Sequence, residues 1–297
     1  MDRLDAMHLF SRIVDLGSFT KAADELQLPR ASVSLAVQQL EARLGVRLLQ
    51  RTTRHVSPTL DGQAYYLRCQ QILQDVEEAE GVLRNSAAGP SGKVRAHLQG
   101  TQALHFILPR LGEFHSRYPD IALEIGLGDR YVDLVREGID CVLRAGEPKD
   151  SSLVGRRVAL LAQVTCASSS YLQHRGVPQT LDEFRTHDAV NYLGTSGRHV
   201  PFEFFIDGER HLVQLQGPVA VDSAYGYTAC CLAGMGFIQV PRYYVETHLR
   251  SGALVEVLAH WPPAPMPVSV LYPHARHLSP RVRVFIDWLA ECMADAR

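Results

Sequence analysis

Three short helical patterns fill the first 45 residues of the chain, and each is bordered by a residue that starts or ends helices. Gly17 ends the first pattern, Ser18 is placed to cap the second, and Gly45 ends the third. The first pattern repeats apolar residues at three- and four-residue steps, at Ala6, Leu9, Phe10, Ile13 and Val14. Helices this short bury their apolar faces only against one another, which predicts a compact helical unit.

The second and third helices each show an apolar and a polar face. In the second, Thr20 and Lys21 face outward, and in the third, Arg30 and Ser34 lie at the leading end. The third helix turns Val33, Val37, Leu40 and Leu44 inward and Ala31, Ser32, Leu35, Gln38 and Gln39 outward. Short, uncharged side chains let a helix enter a DNA groove and contact base edges. This face is therefore a candidate DNA-reading surface.

A basic turn at residues 48–54 follows the third helix. From Arg30 to Thr59 the sequence holds five arginines against one acid, Glu41, although the net charge of the whole chain is −2. Such a local excess suits phosphate contacts. Three helices and a basic turn are the parts of a winged helix-turn-helix, so Arg51, Thr52 and Arg54 are expected on the DNA backbone. The alternative is an ordinary three-helix subdomain whose apolar stripes are only core.

A long helical pattern opens at Pro58 and Thr59. Its apolar seam, at alternating four- and three-residue steps, consists of Tyr65, Cys69, Ile72, Val76, Ala79 and Leu83. That spacing is typical of a coiled coil, and a stripe so narrow is best buried by a second copy of the helix. The seam predicts dimerisation, and packing of the helix on its own domain is the alternative.

An alternating α/β region follows a hinge of small residues, glycines and a proline at 86–92. Strands are predicted at 94–98, 121–127, 141–143 and 219–221, and helices at 106–118 and 131–137. This order predicts an open α/β sheet, which binds ligands beyond the carboxyl ends of its strands. Those ends are residues 99–102, 144–146 and 222–224.

Length and composition narrow the class of protein further. The 297 residues correspond to about two domain lengths, and 46% of them are hydrophobic, enough for substantial cores. The sequence shows no apolar segment long enough for a membrane span. Asp2 and Asp5 near the start, with no cleavage signal after an apolar run, argue against a signal peptide. A cytoplasmic protein with no membrane partner is expected.

An enzyme is the rival interpretation, and the sequence gives it little support. It lacks the GxSxG, HExxH and GxxxxGK motifs and has no GxGxxG after a strand. The six cysteines show neither CxxC spacing nor a metal-ligand pattern with the histidines, so free thiols are expected rather than a redox sensor. We predict no catalytic residues, no metal and no cofactor. A transported solute-binding protein would need export and would not need residues 1–60.

A set of motifs, taken together, closely resembles the LysR-type transcriptional regulators. In the N-terminal part they are Ala22-Ala23, Leu40-Glu41, the run from Leu44 to Leu49 and Arg51-Thr52-Thr53-Arg54. Further along they include Tyr118-Pro119-Asp120, Asp133-Leu134-Val135 and Cys166-Ala167-Ser168. Two positions depart from the pattern. Leu35 stands where many relatives carry a cation that contacts DNA, and Arg30, beside Pro29, is placed to supply that contact.

The resemblance implies an α/β protein overall, with an all-α winged helix-turn-helix at 1–59, a dimerising linker helix at 60–86 and a hinge at 87–92. The effector-binding domain, 93–297, would have two lobes like those of periplasmic binding proteins. Lobe I is expected at 93–162 and 268–297 and lobe II at 163–267, with crossovers near 162–164 and 261–267. Its implied partners are double-stranded DNA, a small-molecule effector and further copies of the chain in a homodimer or homotetramer, with RNA polymerase a further candidate.

The expected effector site lies in the cleft between the lobes. It comprises Gly100, Thr101, Gln102, Arg144, Asp222 and Ser223. Thr101 and Ser223 would start helices, where free N–H groups favour an anion, and Arg144 would bind a carboxylate. Simple capping and a salt bridge are the alternatives for these residues. Asp222 would instead suit a hydroxyl or amine, which leaves the chemistry of the effector open.

Overall fold

A computed structural model describes residues 1–51, 56–84, 89–146, 153–194, 197–273, 278–294 and 296, without the side chains of 51, 71, 74 and 77–84. The predicted wing residues Thr52 and Arg54, and the side chains of Arg51, Ala79 and Leu83, lie outside this description. Among the described residues, no helix is long and apolar enough to cross a membrane.

The N-terminal domain packs three helices and a two-stranded wing around one core. Its elements are α1 Arg3–Leu16, α2 Phe19–Glu25, α3 Arg30–Leu44, β1 Leu49–Arg51 and β2 Val56–Pro58, the two strands antiparallel. Gly17 and Gly45 end α1 and α3 with φ of 58° and 72°, a conformation that glycine adopts without cost. Ser18 accepts a hydrogen bond from the Lys21 N–H and so caps α2. Local signals therefore place these helix ends where the sequence predicts them.

One predicted core position of this domain is wrong. Leu44 is 40% exposed, because it is the last residue of α3 and the chain turns away at Gly45. Leu48 and Leu49, at the start of the wing, are buried in the core with Leu40 instead.

The linker helix α4, Leu60–Arg84, starts directly against the base of the wing. The Thr59 hydroxyl accepts a hydrogen bond from the Gly62 N–H at 2.9 Å and donates one to the Arg47 carbonyl at 2.7 Å. A Cβ at Gly62 would lie 1.9 Å from the Leu48 carbonyl oxygen, so only glycine permits this approach. The first turn of α4 is thereby fixed to the DNA-binding domain.

The first two residues of the predicted seam pack within the N-terminal domain. Cys69 is fully buried in the core of the N-terminal domain, and the Tyr65 ring packs on Phe10 with 5.5 Å between ring centroids. Burial raises the pKa of Cys69 to about 11. The seam spacing here reflects packing within the chain, because α4 crosses α1 before it leaves the domain. Ile72 is 39% exposed and Val76 is partly exposed.

Lobe I is built on a five-stranded sheet of order β4-β3-β5-β14-β6. Its strands are β3 Gly92–Leu98, β4 Ile121–Leu127, β5 Cys141–Ala145, β6 Leu153–Leu161 and β14 Met266–Pro273. β3 pairs in parallel with β4 and β5, and β14 runs antiparallel to β5 and β6. The helix α12, Pro280–Met293, brings Phe285, Trp288 and Leu289 into the apolar core on one face of this sheet.

Both helices predicted in lobe I differ from the observed elements. The first is broken into α5 Gly100–Gln102, a π-turn at Ala103–Ile107, a 3₁₀ turn at Leu108–Arg110 and α6 Leu111–Arg117. Pro109 has no N–H to continue a regular helix, which accounts for the 3₁₀ turn. The second, α7, spans only Leu134–Glu137, because Asp133 caps it through the Arg136 N–H.

Lobe II contains a three-stranded antiparallel sheet, β12-β7-β13, a parallel pair and a hairpin. Its strands are β7 Gln163–Ser168, β8 Val190–Tyr192, β9 Phe202–Ile206, β10 Glu209–Val213, β11 Val219–Val221, β12 Ile238–Pro241 and β13 Leu254–Glu256. Its helices are α8 Ser169–Arg175, α9 Leu181–Phe184, α10 Ala224–Leu232 and α11 Arg242–Arg250. The chain enters this lobe after Leu161 and leaves it before Met266. The Gln163 amide joins the two crossovers by donating to the Ala264 carbonyl at 2.7 Å.

Candidate nucleic-acid interface and ligand cavity

The outward face of α3 is exposed and carries no acidic side chain. Ala31, Ser32, Leu35 and Gln38 are exposed, Leu35 by 54%, and Ser34 is partly buried at the edge of the face. Thr20 and Lys21 on α2 are also exposed. The Arg30 side chain is 69% exposed and lies 3.8 Å from Asp24, a loose surface pair. The structure thus leaves most of these predicted DNA contacts exposed to solvent.

Glu41, the single acid of the basic segment, has a structural role. Its carboxylate accepts hydrogen bonds from the N–H groups of Leu48 and Leu49 at 2.8 and 3.0 Å. These bonds hold the start of β1 against α3 and turn the carboxylate away from the outward face. Glu41 therefore joins α3 to the start of the first wing strand.

A cavity of about 470 Å³ opens between lobe I and lobe II. Thr101, Gln102 and Arg144 of the predicted effector site line it. Thr101 and Gln102 are 5% and 2% exposed, and the Thr101 hydroxyl donates to the Gln102 amide oxygen at 3.1 Å. From lobe II, the Tyr243 hydroxyl donates to the Thr101 oxygen at 2.9 Å, so this position also ties the lobes together.

Arg144 is held in place by neutral acceptors. Its guanidinium donates to the carbonyls of Gly128 and Arg130 at 2.9 and 2.7 Å and approaches His97 Nδ1 at 3.0 Å. Because arginine only donates, His97 Nδ1 must be the acceptor and carries no proton. Burial and the nearby Arg144 lower the pKa of His97, which agrees with a neutral ring. Burial also lowers the pKa of Arg144.

The other three predicted effector residues do not line the cavity. Ser223 caps α10, with its hydroxyl near the Gly226 N–H, and the Asp222 carbonyl accepts from the Tyr192 hydroxyl. Gly100 packs under the Tyr225 ring, where a Cβ would lie 3.0 Å from a ring carbon. For Ser223, capping alone accounts for the residue type, as the alternative interpretation held.

A residue that sequence reasoning missed, Asp129, occupies the start of α10. It follows β4 in lobe I, and its Oδ2 accepts a hydrogen bond from the Ala224 N–H of lobe II at 2.9 Å. The anion expected at this helix terminus is thus supplied by the protein itself. Ser269 was also missed. It faces Arg144 across the β5–β14 pair and lines the cavity, a position that only the strand register reveals.

The linker helix contacts lobe I as well as the DNA-binding domain. Asp15 of α1 accepts a hydrogen bond from the Tyr66 hydroxyl, and the Gln70 amide donates to that same hydroxyl at 2.5 Å. Arg95 of β3 donates to the Gln70 oxygen at 2.9 Å. Further along, Arg281 of α12, only 2% exposed, binds Asp75 at 2.9 Å. These bonds connect the two domains through α4.

The described residues contain no group of three or more histidine, cysteine or acidic side chains arranged to hold a metal ion. All six cysteines are free, and Cys230 alone is not buried.

A helix-turn-helix surface, a long connecting helix and a two-lobed domain with an interlobe cavity define a ligand-responsive DNA-binding regulator.

Comparisons with known proteins identify the family. Residues 4–63 match the family described as bacterial regulatory helix-turn-helix protein, lysR family, and residues 87–294 match the LysR substrate binding domain. The chain belongs to the LysR family of transcriptional regulators, which are not enzymes.

Full-length relatives share both domains. The chain is 40% identical over 296 residues to an uncharacterized HTH-type transcriptional regulator, YhjC, of Escherichia coli, covering 99% of each chain. It is 41% identical over 300 residues to an HTH-type transcriptional repressor of Pseudomonas aeruginosa, covering 99% of this chain and 93% of the relative. Among solved structures it is similar to CrgA of Neisseria meningitidis, with 30% identity, 97% of each chain covered and a TM-score of 0.58. The Vibrio cholerae virulence activator AphB gives 26% identity, 98% and 99% coverage and a TM-score of 0.58.

Proposed function

We propose that this LysR-family regulator reads operator bases with α3, holds the DNA backbone with its wing, and responds to a small molecule in the interlobe cavity. The observation that carries the DNA-reading assignment is the exposed face of α3, which has short side chains and no acidic residue. Beside it is the wing, whose first strand is held by hydrogen bonds to Glu41. A helix of this kind can lie deep in the major groove while flanking cations neutralise phosphates.

The contacts divide by chemistry. Ala31, Ser32, Ser34, Leu35 and Gln38 are assigned to base edges, with Gln38 suited to a bidentate contact with adenine. Phosphate contacts are assigned to the polar and cationic residues around that helix. They are Thr20, Lys21, Arg30, Arg51, Thr52 and Arg54.

The test uses DNA sites selected by the full chain from a random library. Gln38→Ala should weaken binding to a selected site about ten-fold, since a good bidentate pair contributes roughly 1–3 kcal/mol, and should leave binding to random DNA unchanged. Gln173→Ala is the matched control, because Gln173 is an exposed glutamine on α8 of lobe II. Equal affinities of wild type and Gln38→Ala for selected sites would place base reading elsewhere.

We further propose that the chain works as a homodimer or a tetramer of dimers. Beyond Cys69 in the predicted seam, Ile72 is 39% exposed and Val76 is partly exposed. Ala79 and Leu83 continue the same spacing in the sequence. Pairing of α4 helices beyond the DNA-binding domain would set the distance between two recognition helices, and hence the half-site spacing.

The proposed signal runs from the cavity through lobe I to α4. Arg144 contacts His97 on β3, and Arg95, two residues earlier on that strand, binds Gln70 of α4. A ligand that changes lobe closure would bias this contact and so the position of the DNA-binding domains. RNA polymerase is a candidate partner in that output. We place the protein in the cytoplasm, where DNA and metabolites meet.

A further inference from the structure

The interlobe cavity has a polar end made of hydrogen-bond donors. Gln102 and Ser269 are 2% and 5% exposed, yet among the described residues the Gln102 amide nitrogen and the Ser269 hydroxyl have no hydrogen-bond partner. Both residues line the cavity. These two donors therefore face the cavity and can each donate a hydrogen bond to an acceptor on a bound molecule.

A positive charge that forms no ion pair with the described residues lies beside these donors. Arg144 is opposite Ser269 in the β5–β14 pair, so the two side chains share one sheet face. Its hydrogen bonds go to two carbonyls and a neutral histidine, and no described carboxylate lies within ion-pair distance. A partly buried cation that keeps its charge gains most from an anion.

Two carboxylates line the cavity in the described part of the chain. Asp129 Oδ2 accepts from the Ala224 N–H at the start of α10, and its Oδ1 is buried with no hydrogen-bond partner among the described residues. Glu203 forms an ion pair with Arg210. Neither lies within ion-pair distance of Arg144, although Asp129 is near enough to favour its charged form, so a direct contact with the guanidinium is left to the ligand.

The same sheet face becomes apolar two residues away. Val142 and Leu271 form the next pair along β5 and β14, and with Val132, Leu134 and Leu153 they line the other end of the cavity. All five of these described side chains are apolar. It favours an apolar group and disfavours a second charge, since a desolvated carboxylate with no partner is costly.

We propose that the cavity binds a monocarboxylic acid with an apolar body, its carboxylate on Arg144, Gln102 and Ser269 and its body against Val142, Leu134 and Leu271. This rests on the proposed function in so far as the cavity is the effector site. A dicarboxylate, a neutral amide or a sugar would leave one of the two ends unmatched.

The experiment titrates the full-length chain calorimetrically with two matched series. Hexanoate is compared with hexanamide and adipate, and benzoate with benzamide and terephthalate, so that the apolar body is constant within each series. At least one of the two monocarboxylates should bind about ten-fold tighter than its amide, the loss expected when a charge-assisted hydrogen bond becomes neutral. The dicarboxylate of the same series should also bind at least about ten-fold more weakly than that monocarboxylate.

Variants then locate the site. Arg144→Gln should abolish the preference for carboxylate over amide, whereas Arg136→Gln, at an exposed arginine of α7, should keep it. Ser269→Ala is the second variant, since it removes only a hydroxyl and should weaken the monocarboxylate a few-fold with the fold intact. Circular dichroism checks folding of each variant.

Two outcomes would overturn the assignment. If neither monocarboxylate binds better than its amide and its dicarboxylate, the ligand class is wrong. If a preference exists but Arg144→Gln and Ser269→Ala both leave it unchanged, the carboxylate lies elsewhere. The Gln38→Ala experiment on DNA does not depend on either result. If a metabolite of another class protected the cavity from hydrogen exchange, the cavity would still be the effector site, but the proposed ligand class would be wrong.

Discussion

The DNA-reading face and the ligand cavity use the same residue types in opposite ways. The Arg30 side chain on the face is 69% exposed, makes one loose ion pair among the described residues and is free to follow a phosphate. Arg144 in the cavity is fixed by two carbonyls and a histidine before any ligand arrives. An arginine on the face can therefore adapt its position, whereas the arginine of the cavity is preorganised, and its site selects by charge and shape.

The two regions also differ in how the chain builds them. The face comes from one short stretch, so its geometry is set by a single helix and its caps. The cavity draws on two lobes, two crossovers and a strand register, with Thr101 and Tyr243 joined across the cleft. Substitutions on the face are expected to affect DNA binding alone, and those in the cavity to affect folding and ligand binding together.

The largest expected effect comes from exchanging these two arginines for alanine. Arg144→Ala should lower the free energy of unfolding of the effector domain by roughly 2–3 kcal/mol, because it strands two carbonyls and His97. Arg30→Ala should change stability by less than about 0.5 kcal/mol. For DNA the order reverses, since Arg30→Ala should reduce the slope of log affinity against log salt by about 0.9 and Arg144→Ala should not.

Urea unfolding and DNA titrations at several salt concentrations measure both quantities. If the two variants proved equally destabilised, the contrast between an adaptable and a fixed arginine would be lost. An unchanged salt slope in Arg30→Ala would remove that residue from the phosphate contacts.

Most of the helical domain follows from local signals. Its periodic apolar positions, the Ser18 cap and the glycines at 17 and 45 act within a few residues, and the structure has them as predicted. Strands 121–127 and 219–221 also match, because alternating or apolar runs bounded by polar residues specify them locally. The prediction that Leu44 is buried was wrong because its burial depends on where the chain goes after the helix.

The cavity was less accessible to sequence reasoning because its residues meet through tertiary structure. Asp129 lies in a loop with no periodic pattern and acquires a role only when it reaches α10 of the other lobe. Ser269 depends on its register opposite Arg144. The spacing of Tyr65 and Cys69 fits a seam between chains and packing within one equally well, and only the position of α1 decides between them.

A smaller effect is expected from pH, and it concerns the cavity region alone. Because burial and Arg144 lower the pKa of His97, the folded protein resists protonation of a ring that protonates normally when unfolded. This contribution to stability is complete above about pH 6.5, the pKa of histidine in the unfolded chain. It is lost as the pH falls toward the lowered pKa of His97 in the folded protein. Protonation would also turn Nδ1 from acceptor to donor against Arg144.

Thermal unfolding between pH 7.5 and pH 5.5 measures this effect. The effector domain of wild type should lose more stability on acidification than His97→Gln, which cannot titrate there. His174→Gln is the control, since His174 is exposed on α8, where its Nδ1 is hydrogen-bonded to the Ser170 carbonyl. A wild-type loss equal to that of His97→Gln would mean that the pKa of His97 is the same in the folded and the unfolded protein.

The smallest expected effect lies in the turn that orients the DNA-reading face. Gln27, between α2 and α3, has φ of 54°, a left-handed conformation that side chains with a Cβ adopt at a cost. Gln27→Gly should raise the free energy of unfolding of the N-terminal domain by about 0.5 kcal/mol, because relief of that strain slightly exceeds the extra entropy of glycine in the unfolded chain. Gln27→Ala keeps the Cβ and should give no gain. DNA affinity should stay unchanged in both variants, since Gln27 is outside the proposed contacts. A loss of affinity in Gln27→Gly alone, measured on selected sites, would show that this strained turn sets the angle of α3, and the DNA-reading face would then be preorganised as the cavity is.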